Sequence, residues 1–157
     1  MKGWYLLTFA KFGRPLVSTT ILMERILVIE DDQRVQKALR RVFECEGYKV
    51  EVCGDGRSAL DAFRTTSPTA VILDLGLPVL SGKEVCRQIK QESFSLPVIV
   101  VSAGTDESER LELFELGAAD YITKPFSPKD LLARVNAAIR RAQMQSAATS
   151  NNIHSLS

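Results

Sequence analysis

Acidic residues stand at two separated places where an apolar run stops. Ile26-Leu27-Val28-Ile29 leads straight into Glu30-Asp31-Asp32, and Ala70 to Leu73 leads into Asp74. Two further apolar runs meet groups of complementary chemistry. Val98 to Val101 ends on the hydroxyl of Ser102, and Tyr121-Ile122 is followed closely by Lys124-Pro125. Carboxylates packed together repel, and each raises its neighbours' pKa unless a cation intervenes. Hard oxygen ligands of this kind suit Mg²⁺ (or Mn²⁺), which keeps several waters and takes one or two carboxylates. The ion and Lys124 would leave a positive pocket for the oxygens of a phosphoryl group. An aspartate in such a pocket can act as nucleophile and form an acyl phosphate. Catalysis there would be mostly positioning and charge neutralisation.

These residues converge only if the intervening chain folds in a particular way. The apolar runs are short, rich in Val and Ile, and bounded by turn residues, which fits strands buried on both faces. Five of them are expected: Ile26–Ile29, Tyr48–Val52, Ala70–Leu73, Val98–Val101 and Tyr121–Ile122. Between them lie helical patterns, with Val35, Leu39, Val42 and Phe43 on one face of the first and Ala59, Ala62 and Phe63 on one face of the second. Val85 and Ile89, then Leu111 to Leu116, then Leu131, Leu132, Val135 and Ile139 mark three more. Repeated strand–helix alternation predicts an α/β fold, a flavodoxin-like doubly wound five-stranded parallel sheet with helices on both faces. In the order 2-1-3-4-5, the first and third strands are neighbours. Glu30, Asp31 and Asp74 then meet at the carboxyl edge, where such sheets bind ligands.

Composition sets limits on partners. At 157 residues, 45% apolar and 25% charged, the chain has room for one domain with a proper core. A formal net charge of +1 directs it neither to nucleic acid nor to an anionic membrane. No apolar run approaches bilayer length. Cys45, Cys53 and Cys86 lack a metal-ligand spacing and read as reduced apolar fillers of a cytoplasmic protein. Residues 1–22 form an N-terminal extension whose apolar run is cut short by Lys11, a poor signal-peptide core. Residues 23–142 make the domain, and the Ser/Thr/Asn/Ala-rich residues 143–157 read as a flexible tail.

The segments Ile26-Leu-Val-Ile-Glu-Asp-Asp32, Ala70-Val-Ile-Leu-Asp-Leu-Gly-Leu-Pro78 and Gly117-Ala-Ala-Asp-Tyr-Ile-Thr-Lys-Pro-Phe126 closely resemble receiver domains of two-component response regulators. The likeness is greatest to receivers of the winged-helix, OmpR/PhoB-like class. It implies that Asp74 is phosphorylated by a sensor histidine kinase, and that Asp31, Asp74 and the Gly76 carbonyl ligate the metal. Glu30 would act through a metal-bound water. Lys124 and Ser102 would hold the phosphoryl group, Tyr121 would be the aromatic switch, and Pro125 would follow a cis bond. Asp32 reads as a helix-start acid instead of a ligand. Two departures stand out: Ser102 occupies a position where Thr is usual, and Gly76 and Gly104 place no side chain beside the phosphoryl group.

The resemblance also implies a phosphorylation-dependent homodimer through the fourth helix, fifth strand and fifth helix. There Arg110 would meet Asp130, and Asp120 would meet Arg134, across a two-fold axis. Direct DNA binding by this chain is not expected. It is either a stand-alone receiver or the amino-terminal part of a DNA-binding transcription regulator. An Asp-nucleophile phosphatase is the enzyme alternative, but such enzymes need a second acid two residues after the nucleophile, and Gly76 stands there. A dinucleotide-binding module would need glycines in the first strand–helix turn, which is acidic instead.

Overall fold

The computed structural model describes residues 23–155, so the N-terminal extension expected over 1–22 lies outside the described residues. Five strands alternate with five helices: β1 (Arg25–Ile29), α1 (Gln33–Cys45), β2 (Lys49–Cys53), α2 (Gly56–Thr66), β3 (Ala70–Asp74), α3 (Gly82–Glu92), β4 (Val98–Ser102), α4 (Glu107–Glu115), β5 (Asp120–Thr123) and α5 (Pro128–Ser155). All pairings are parallel, in the order β2-β1-β3-β4-β5.

The sheet separates two cores, and strand parity decides which residue joins which. Leu27, Ile29, Val71, Leu73, Val98 and Val100 face α2, α3 and α4, where Leu60, Phe63, Val85, Ile89 and Leu113 meet them. Ile26, Val28, Ile72, Ile99 and Val101 face α1 and α5 and pack on Leu39, Phe43, Leu131, Val135 and Ile139. β3 and β4 are buried along their whole length, which is why they read in the sequence as unbroken apolar runs. The sheet centre is therefore a fixed platform for whatever stands at its carboxyl edge.

Helix starts lie on that same edge, and side-chain caps hold them. Asp32 accepts the Arg34 N–H at 2.8 Å, Asp55 that of Ser58 at 2.8 Å, Ser81 that of Glu84 at 3.3 Å, and Asp106 that of Ser108 at 2.9 Å. After α4 the chain turns into β5 through Gly117, whose φ of +103° is costly for any residue with a side chain.

Two expectations are corrected here. The chain does not leave the helix near residue 142: α5 continues to Ser155. No Gly or Pro interrupts it, its Ala, Gln and Met residues favour helix, and Ser146, Thr149 and Ser150 give their hydroxyl protons to carbonyls one turn back. Residues 143–152 are nevertheless exposed, so local propensity sustains this stretch in place of packing. Cys45 is exposed as well, because it ends α1 away from the sheet, whereas Cys86 is fully buried as a filler should be.

Candidate functional site

The ends of β1, β3, β4 and β5 bring together one acidic cluster, one lysine and one hydroxyl. Asp74 is the last residue of β3, and Glu30 follows β1 directly on the neighbouring strand. Both are almost fully buried, as is Ser102 at the end of β4. Lys124 leaves β5 and spans the two acids, its Nζ lying 3.0 Å from Glu30 Oε2 and 3.1 Å from Asp74 Oδ2. The second oxygen of each acid is also held: Glu30 Oε1 accepts the Asp32 N–H at 3.0 Å, and Asp74 Oδ1 accepts the Gly76 N–H at 3.0 Å. Each buried carboxylate thus has one oxygen on a cation and one on the backbone, which fixes its plane.

Asp31 completes the cluster from an exposed position. Carboxylate oxygens of Glu30, Asp31 and Asp74 lie within 4.8 Å of one another, close enough to ligate a single divalent cation. The electrostatics lean the same way. Burial pushes the Glu30 carboxyl up, and the neighbouring Asp74 charge adds to the rise. The Asp32 N–H and Lys124 oppose that rise without cancelling it. Burial alone would lower Lys124, but its hydrogen bonds to Glu30 and Asp74 outweigh that and hold the ammonium above its ordinary value. The charges these residues bring are one firmly held positive group among crowded negative ones, a balance that a second cation would relieve.

Ser102 is tied in twice. Its carbonyl accepts the Lys124 N–H at 2.8 Å, and its Oγ accepts the Gly104 N–H at 3.1 Å. The Ser102 hydroxyl donates to Glu109 Oε1 at 3.3 Å, and the same carboxylate oxygen lies 3.4 Å from the Tyr121 hydroxyl, which also reaches the Gly104 carbonyl at 3.3 Å. Glu109 was not singled out by sequence. It sits among Asp106 and Glu107 in a helix start where acids are ordinary, and only the path of the β4–α4 loop distinguishes it.

The other candidates fall into place as follows. The Lys124–Pro125 bond is cis. Asp32 caps α1, as expected of a helix-start acid. The four charged residues of the α4–β5–α5 face are paired within the chain: Arg134 lies 3.1 Å from Asp120 and 3.4 Å from Asp130, and Arg110 lies 3.9 Å from Glu107. Among the described residues, no helix is long and apolar enough to cross a membrane.

A doubly wound sheet that gathers an acidic cluster, a lysine and a hydroxyl at its carboxyl edge has the architecture of a phosphoacceptor domain. The chain belongs to the response regulator receiver domain family, whose profile it matches over residues 26–136. It is similar to the response regulator MprA of Mycolicibacterium vanbaalenii, 46% identical over 117 residues that make up 74% of this chain and 51% of that protein. MprA of Mycobacterium tuberculosis is 44% identical over 126 residues, 80% of this chain and 55% of the relative. The chain therefore spans about half the length of these curated relatives. Among solved structures it is similar to DrrB, a Thermotoga maritima OmpR/PhoB homologue, with a TM-score of 0.71 and 35% identity over 76% of this chain and 54% of that one. The receiver domain of DrrB activated by BeF₃ gives a TM-score of 0.70 at 34% identity, over 76% of this chain and 99% of that one.

Proposed function

We propose that Asp74 is the residue phosphorylated, that a sensor histidine kinase is the donor, and that the reaction takes place in the cytoplasm with Mg²⁺ (or Mn²⁺) bound beside it. The observation that carries this reading is the placement of Asp74. It ends the central strand, nearly buried, with a lysine on one oxygen and two further acids within reach. The hard oxygen donors of Glu30, Asp31 and Asp74 fit such an ion, and the Gly76 carbonyl stands two residues past Asp74 to join them. Bound there, the ion would supply charge neutralisation for the incoming phosphoryl oxygens.

An Asp74 carboxylate oxygen forms the new O–P bond as the P–N bond of a phosphohistidine breaks, and the imidazole leaves with the bonding pair. Lys124 then exchanges part of its carboxylate pairing for a phosphoryl oxygen, and Ser102 gives its hydroxyl proton to another. The Gly76 side offers no acid for a second hydrolytic step, which argues against the phosphatase reading. A downstream face is supplied by Tyr121 with Arg110, Asp120, Asp130 and Arg134. There, in-chain pairs could exchange for pairs with a second copy in a phosphorylation-dependent dimer.

The direct test is intact mass after incubation with a small phosphodonor and Mg²⁺. One phosphoryl adduct should form and should vanish in Asp74→Asn. An adduct that survives in that variant would refute the assignment.

A further inference from the structure

We propose that Glu109 is a positioning residue that competes with the phosphoryl group for the Ser102 hydroxyl proton and passes the outcome to Tyr121. The proposal rests on the phosphoacceptor reading and adds to it a residue between the two switch hydroxyls.

Glu109 Oε1 receives the Ser102 hydroxyl at 3.3 Å and lies 3.4 Å from the Tyr121 hydroxyl. A serine hydroxyl carries one proton. With that proton on Glu109, Ser102 cannot give it to a phosphoryl oxygen on Asp74, so the two acceptors exclude each other. The lone pairs of the Ser102 Oγ do not alter this, because they only accept, as one does from the Gly104 N–H at 3.1 Å, and a phosphoryl oxygen offers them no proton.

Tyr121 feels the same exchange from the other side. Its hydroxyl is divided between Glu109 Oε1 and the Gly104 carbonyl at 3.3 Å. When Ser102 turns to the phosphoryl group, Glu109 loses one donor and its oxygen becomes free for Tyr121 alone. One carboxylate oxygen thereby converts a rotation at Ser102 into a stronger hold on the ring at β5.

The local sequence makes room for this bridge. A Cβ at Gly104 would lie 3.6 Å from Ser102 Oγ and 3.9 Å from Glu109 Oε1, so any longer side chain there would crowd the space between them. Ser102 lacks the branching methyl of threonine and so turns more freely between the two acceptors. Ser102 and Gly104, two of the departures from the common receiver pattern, thus stand where the Glu109 bridge uses them.

The test uses the full chain with Mg²⁺ and beryllofluoride as the phosphoryl stand-in, and with fluorotyrosine in place of its three tyrosines. The Tyr121 fluorine resonance is assigned through Tyr121→Phe. Glu109→Ala should bind beryllofluoride about threefold to tenfold more tightly, the gain expected when one long charge-assisted hydrogen bond no longer competes. Its Tyr121 resonance should move less on binding than in the unaltered chain, and Glu109→Gln, which keeps an acceptor oxygen, should restore part of that movement. Glu107→Ala removes the same charge from the same helical turn and should change affinity less than about twofold. Equal gains in the Glu107 and Glu109 variants would reduce the effect to bulk charge and overturn the proposal. So would a Tyr121 resonance that travels as far in Glu109→Ala as in the unaltered chain. If the unaltered chain bound no beryllofluoride, the phosphoacceptor reading itself would fall, and this proposal with it.

Discussion

Lys124→Met removes the ammonium 3.0 Å from Glu30 and 3.1 Å from Asp74 while keeping most of the side-chain length. At the effective dielectric of such sites, each contact is worth about 5 kcal/mol of gross Coulomb attraction, most of it offset by desolvation. Stranding one partner of a buried pair costs about 3–5 kcal/mol. The Lys124 side chain keeps 28% of its exposure, so solvent screening discounts this to a net loss of about 2–3 kcal/mol near pH 7 in chelator. The sign of the pH dependence follows from Glu30. Its carboxyl already sits above its ordinary value and would rise further without the lysine. A carboxyl with a raised folded pKa regains stability as pH falls through that value, so the deficit of the variant should shrink as the medium is made acidic enough to protonate Glu30. Millimolar Mg²⁺ should shrink it too, because it supplies the missing positive charge. Urea unfolding followed by circular dichroism measures all three conditions. An unchanged midpoint in chelator, or a deficit indifferent to both pH and Mg²⁺, would refute the electrostatic account of this site.

Gly82→Ala would put a Cβ 2.6 Å from the Asp74 carbonyl and 2.6 Å from Leu75 Cα, both backbone, so α3 must move off the end of β3. A loss of about 1–3 kcal/mol in thermal or urea melts, with slower phosphoryl uptake at Asp74, is expected; wild-type values for both would show that the contact is relieved at no cost. Burial pushes the Cys86 thiol up to about 11 from its ordinary 9.0. Above pH 9 the unfolded thiol ionises while the folded one does not, so up to about 3 kcal/mol of stability should be lost as pH rises toward 11. Mapped alkylation of the native chain should label exposed Cys45 first and leave buried Cys86 unmodified until unfolding, and equal rates would contradict the burial.

The parts of the fold that could be read from sequence are those where burial dictates residue type. β1, β3 and β4 are buried on both faces, so nothing but apolar residues fits until the strand ends, and the first polar group marks the carboxyl edge. Asp74, Ser102 and Glu30 were legible for that reason. The boundaries of β2 were harder, since an edge strand has a looser code. It begins at Lys49, while Tyr48 packs its ring on Phe43 with centroids 5.8 Å apart and gives its hydroxyl proton to Asn136 on α5. Exposed segments carry the least information. The continuation of α5 depends on local propensity, which a Ser/Thr-rich composition conceals. Glu109 was illegible because its role is set by a loop that aims it at two hydroxyls, and no periodicity reports such an aim.

The backbone around the acceptor is stitched on both sides. Leu75 N–H reaches the Val101 carbonyl at 3.0 Å, and Lys124 N–H reaches the Ser102 carbonyl at 2.8 Å, so the main chain next to Asp74, Ser102 and Lys124 is committed to neighbouring strands. At these three residues, side-chain rotation is therefore a cheaper response than main-chain displacement, which would break those bonds. A device built this way stores little in its own main-chain shape, since the strands that carry its groups stay where they are. Under the phosphoacceptor reading proposed above, the duration of a signal is then set by the lifetime of the acyl phosphate bond. The clock of such a domain is chemical, and the fold around it serves as its dial.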